Sequence, residues 1–136
     1  MHTCNLGGKR LSGLVTGIVQ RGSAVRMTVH GSSMFPTLVD GDQTVIAKVE
    51  EEQIKKGDIV LVGGVKPMIH RVVEVDRHAG QLITKGDAYN KQDGPSSIND
   101  VVGRVVKVER PPAVKIKRFG LGLKKAANKV FRRVLS

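Results

Sequence analysis

The chain has 136 residues, a length that suits one domain with at most a short appendage. Its single cysteine, Cys4, excludes an internal disulfide and a cysteine metal cluster within one chain, and no stretch approaches the roughly 20 apolar residues that span a bilayer. The formal net charge of +11 is uneven: residues 1–110 carry 15 Lys and Arg against 12 Asp and Glu, net +3, whereas residues 111–136 carry 8 Lys and Arg and no acid.

Residues 1–8 contain Gly7-Gly8 and read as a disordered start. The spacing of Leu11, Leu14, Val15, Ile18 and Val19 predicts a short helix over 10–21 with one apolar face, and Gly22 is placed to end it. Val25, Met27 and Val29 then alternate with polar residues at strand period over 24–30. Further strands are predicted at 43–49, 58–62, 68–76, 81–85 and 101–109. Turn residues separate them at Asp40-Gly41-Asp42, Lys56-Gly57-Asp58, Gly63-Gly64 and Ala79-Gly80. Residues 86–99 read as a polar loop. The apolar content is mostly Val, Ile and Leu, which fit a pleated surface. The expectation is a mostly β domain over 24–110, preceded by an N-terminal segment, 1–23, with its short helix.

Pro111-Pro112 marks a boundary, because proline cannot donate to a ladder. Beyond it, Ile116, Phe119, Leu123, Ala126, Ala127, Val130 and Val134 recur at helical steps, so 111–136 reads as a basic amphipathic helical tail. Such a helix can lie on an anionic membrane surface through residues 115–136, or pack its apolar face on the domain. With no aromatics beyond Phe119 and Phe131, the tail is poorly suited to stacking on single-stranded nucleic acid. The expected location is the cytoplasm or the periphery of a membrane, with no transmembrane segment.

The most informative stretch is His30-Gly31-Ser32-Ser33-Met34-Phe35-Pro36-Thr37-Leu38, followed by Asp40-Gly41-Asp42. A serine hydroxyl becomes a nucleophile when a tight backbone exposes it and a base takes its proton. Gly-x-Ser-Met-x-Pro-Thr-Leu with a following Gly-Asp resembles the nucleophile box of the signal peptidase I superfamily, with Ser33 at the nucleophile position. Gly57-Asp58-Ile59-Val60 looks like the next family box, and His70-Arg71-Val72-Val73 the one after. Typical bacterial signal peptidases carry a lysine base at the position matched by His70. The archaeal and endoplasmic-reticulum branch carries histidine followed by Arg-Val, which this chain is similar to. Ile83-Thr84-Lys85-Gly86-Asp87, with Asn90 and Asp93, resembles the third box of that branch, including a second acid six positions after the first.

The resemblance implies a signal peptidase or SOS-repressor-like β fold and a serine endopeptidase that cuts a precursor or leader peptide. Its catalytic residues would be Ser33 as nucleophile, His70 as base, and Asp93, or else Asp87, orienting the imidazole. Asp87 could instead hold the loop or bond to a nearby Ser or Arg. The Ser33 N–H, with Ser32 beside it, would serve the oxyanion. The position two before the nucleophile is commonly serine in membrane signal peptidases. Here it is Gly31, which leaves the second oxyanion donor open. The partner would be a peptide or protein laid in extended form beside the strands, and no cofactor or metal is called for. His30 and His78 fit no box and read as surface residues, and His2 lies in the frayed start. SOS-repressor autoproteases use a lysine base and a DNA-binding domain, neither of which is matched. From another class, the alternative is a non-catalytic module of the same fold that binds membrane or nucleic acid through its basic tail.

Overall fold

The computed structural model describes residues 2–5, 8–64 and 67–112. The described residues are mostly β, with one short α-helix. The predicted basic helix over 115–136 lies outside the described residues. The elements are β1 (His2–Asn5), α1 (Gly8–Gln20), β2 (Val25–Thr28), β3 (Gln43–Ala47), β4 (Ile59–Val62), β5 (Met68–Asp76), β6 (Gln81–Lys85), β7 (Ser96–Ser97) and β8 (Val101–Glu109). They form one sheet in the order β1-β2-β3-β8-β4-β5-β6-β7. Every pairing from β2 onward is antiparallel, while β1 runs parallel to β2 with His2 opposite Val25 and Asn5 opposite Thr28.

The predicted bounds of β5, β6 and β8 coincide with those observed, and β2, β3 and β4 fall within their predicted segments. The disordered start is corrected: residues 2–5 form β1. Four residues are too few for a period to be read, and the strand exists through its ladder with β2, which α1 reaches as a crossover connection. The helix begins at Gly8 and closes as Gly22 N–H donates to Val19 O (2.9 Å) and Ser23 N–H to Ile18 O (3.2 Å), a Schellman arrangement. Leu14 is a second correction, because it is 55% exposed while Val15, Ile18 and Val19 are buried. At about 100° per residue, Leu14 sits roughly 90° from the centre of the stripe those three make. The loop over 86–99 contains β7, and single 3-10 turns lie at Glu51–Gln53 and Ile98–Asp100.

The sheet carries apolar packing on both faces. Ile59 and Leu61 of β4 join a core with Val15, Val19, Met27, Ile46 and Val105, whereas Val60 and Val62 join a second with Ile54, Val72, Leu82 and Ile98. Alternation along β4 sends these two pairs to opposite faces. Register shifts at Val45/Ile46, Leu61/Val62 and Val72/Glu74 mark bulges, which bend strands and increase twist. In a flat sheet β2 and β5 would be about 19 Å apart, four strand spacings of about 4.8 Å. The loop after β2 nevertheless meets the loop after β6 beside β5, with Ala88 N–H donating to Ser33 O at 3.0 Å, so the sheet curls to bring them together.

Candidate active site

Ser33 stands on the loop from β2 to β3. Met34 and Leu38, 2% and 0% exposed, sink into the first core and anchor the loop, leaving Ser33 half-buried and Ser32 exposed. The turn is tightened by Phe35 N–H donating to Ser32 O (3.1 Å) and Leu38 N–H to Met34 O (2.9 Å). Gly31 has φ +86°, a region where a side chain is strained, and its N–H donates to Asp40 Oδ1 at 2.9 Å. Glycine at this position follows from the backbone of this loop. Among the described residues nothing accepts a hydrogen bond from the Ser33 N–H.

His70 lies on β5, 7% exposed. Its Nδ1 is 2.6 Å from Asp93 Oδ2, and the same oxygen accepts the Thr84 hydroxyl at 2.7 Å. Asp93 N–H donates to Thr84 O (2.8 Å), so backbone and side chain both tie the carboxylate to the end of β6. The other ring nitrogen faces Gly86. A Cβ built on Gly86 would stand 3.3 Å from His70 Nε2, 2.5 Å from Ser33 O and 3.0 Å from Tyr89 Cδ2. Only a residue without a side chain lets the Ser33 loop approach the imidazole this closely. In this conformation no hydrogen bond joins the Ser33 hydroxyl to His70.

Asp87 lies elsewhere. Arg71 holds it in a fork, Nε to Oδ1 at 2.9 Å and Nη2 to Oδ2 at 2.8 Å, and Thr37 Oγ1 donates to Oδ2 at 2.5 Å. Arg71 Nη1 also donates to Gly57 O (2.8 Å). Burial is the largest single influence on this carboxyl and raises its pKa. Hydrogen bonds from Arg71 and Thr37 and the charges of Arg71 and Lys85 together outweigh it, holding Asp87 below the ordinary carboxylate value. His70 and Arg71 are consecutive on β5, so their side chains leave opposite faces. One loop, 86–93, thus supplies an acid to each: Asp93 to His70 and Asp87 to Arg71.

The structure brings Ser33, His70 and Asp93 into one neighbourhood, and it leaves His30 and His78 exposed. Sequence reasoning missed the hydroxyls of Thr37 and Thr84 and the close approach at Gly86. It also missed Arg110, whose Nε and Nη2 donate to the two oxygens of the fully buried Asp42 at 2.8 and 2.9 Å. The strand period could have flagged Thr84, which falls on the apolar face with Leu82. Among the described residues no group of three or more His, Cys, Asp or Glu is arranged to hold a metal ion.

The profile of the Peptidase S24-like family matches residues 11–106. The chain belongs to that family. The match runs from α1 through most of β8 and takes in every candidate residue named above. The peptidase S24-like chain is also 36% identical over 61 residues to signal peptidase I T of Bacillus subtilis (strain 168), covering 43% of this chain and 32% of that protein. It therefore spans about a third of that relative's length. No helix among the described residues is long and apolar enough to cross a membrane.

Proposed function

We propose that this S24-like chain is a serine endopeptidase of the signal peptidase I type, of the histidine-base branch, cutting a precursor or leader peptide. The observation that carries the reading is the ring of His70, held at Nδ1 by Asp93 (2.6 Å) with Nε2 turned to the point where Gly86 meets the Ser33 backbone. The carboxylate fixes the tautomer with its proton on Nδ1, which makes Nε2 the acceptor. Ser33 Oγ attacks the scissile carbonyl carbon as its proton passes to Nε2. The oxygen that becomes negative is met by the Ser33 N–H, with Ser32 as the adjacent donor. Collapse breaks the C–N bond as Nε2 returns the proton to the departing amine, and water releases the acyl group by the same relay. The Ser33–His70 contact tightens when substrate is bound, as such bonds commonly do.

The substrate would lie extended. β6 pairs with β5 only from Arg71 onward, so Met68–His70 keep one ladder edge without a strand among the described residues. Such an edge accepts a peptide by β-augmentation, with main-chain bonds supplying affinity. The eight basic residues of 111–136 support docking of the domain on an anionic membrane surface, where such precursors would be met.

The test is incubation with a precursor-peptide library and sequencing of the new N-termini. Defined cuts are expected from the wild-type chain, with losses of at least about 1,000-fold in Ser33→Ala and His70→Ala. His30→Ala and His78→Ala should cut as the wild type does. Unchanged cutting by Ser33→Ala would refute the reading, and no cutting by any form would favour the non-catalytic module.

A further inference from the structure

Tyr89 is one of three large apolar side chains exposed among the described residues, at 51%, with Leu14 and Val106. An isolated exposed apolar residue needs no explanation. Tyr89 differs in how it is held and in what it stands beside. Its N–H donates to Gly86 O at 3.0 Å, and its carbonyl accepts the Lys85 ammonium at 2.6 Å. The preceding residue, Ala88, is tied by its N–H to Ser33 O at 3.0 Å. A backbone fastened on both sides of the residue displays the ring from a fixed position. The ring edge reaches the same point beside Gly86 that His70 Nε2 and the Ser33 carbonyl reach, at 3.0, 3.3 and 2.5 Å respectively.

We propose that Tyr89 is a specificity-determining residue whose ring forms the wall against which the first substrate residue after the cut packs, favouring an apolar side chain there. The inference rests on the peptidase reading of Ser33 and His70 and adds a subsite to it. Nε2 must hand its proton to the departing amine, so the residue bearing that amine lies against Nε2. The ring edge and Nε2 lie 3.0 and 3.3 Å from one point beside Gly86, hence within about 6 Å of each other, which places the ring within reach of that residue's side chain. Tyrosine suits the task, because it offers a large, rigid, amphipathic surface at little cost in side-chain entropy.

The chain contains one tyrosine and no tryptophan, so its intrinsic emission reports on Tyr89 alone. A peptide cut by the wild-type chain, itself free of Tyr and Trp, is titrated into full-length Ser33→Ala and followed by emission and calorimetry. Emission should change with the calorimetric Kd, and the acid product, which ends at the cut, should bind without changing it. In turnover, the wild type should prefer Leu over Gly after the cut by about tenfold in kcat/KM. Tyr89→Ala should lose that preference through KM rather than kcat, and Tyr89→Phe should restore it. Calorimetric binding with unchanged emission, or a Leu preference intact in Tyr89→Ala, would overturn the proposal while leaving the peptidase reading in place. If the wild type cuts nothing, both fall together.

Discussion

At the scale of single residues, the site turns on an atom that is not there. The missing side chain of Gly86 lets the Ser33 loop and the His70 ring share one point, and 2.5 Å from a backbone oxygen is too close for any Cβ. Gly86→Ala must therefore push the Ser33 loop away from the imidazole. A displacement near 1 Å costs about 100-fold in rate, so kcat should fall by that order while the chain stays folded by circular dichroism. The sequence showed this glycine only as part of a short box. The contact that demands it joins positions more than fifty residues apart, and no local pattern encodes that. Ser33, His70 and Asp93 were legible as candidates because each sits in such a box. The division of labour between Asp87 and Asp93 was left open, since it depends on which face of β5 each acid reaches.

Asp87 also ties elements together, joining Arg71 of β5 to Thr37 of the Ser33 loop. Its carboxyl is held below its ordinary value in the folded chain, so the ionised form is favoured there. That contribution is fully present above the unfolded carboxylate pKa, about 3.9, and is lost as pH falls through the folded value. Urea midpoints across an acid series should therefore show Asp87→Asn less stable at pH 7 and less sensitive to acidification below about pH 4.

At the scale of elements, strand period read β2 through β6 and β8 well, because each alternates or buries both faces. It failed for β1 and β7, which are short and owe their existence to partners. The β2–β3 connection is secured from a distance: Arg110, just past β8, forks onto Asp42, whose side chain is fully buried. Val39 N–H donates to the same carboxylate at 3.0 Å. Nothing in the turn signal Asp40-Gly41-Asp42 announces a partner sixty-eight positions on. Removing that partner strands a buried charge, so Arg110→Ala should cost about 3–5 kcal/mol by denaturant unfolding. Adding Asp42→Asn should recover part of that loss.

At the scale of the whole molecule, the curled sheet is what unites the chemistry, since β2 and β5 are four strand spacings apart in sheet order. Composition predicted the mostly β class, but curling arises from bulges and core packing that no single segment displays. The charge asymmetry belongs to this scale too. If residues 111–136 dock the domain, full-length protein should co-sediment with anionic but not neutral vesicles, and salt should weaken the binding. Lys124, Lys125, Lys129, Arg132 and Arg133 would then each contribute about 1 kcal/mol at such a surface. Replacing all five by Gln should abolish sedimentation, and unchanged sedimentation would remove the tail from the account.

The central claim is that Ser33 is a nucleophile served by His70 and Asp93. Acid quenching during turnover of a peptide ester, followed by peptide mapping by mass spectrometry, tests it most directly. An acyl mass is expected on the peptide containing Ser33 in the wild type, none in Ser33→Ala, and a trace at most in His70→Ala. Turnover that persists in Ser33→Ala, or an acyl group carried on any other residue, would contradict it.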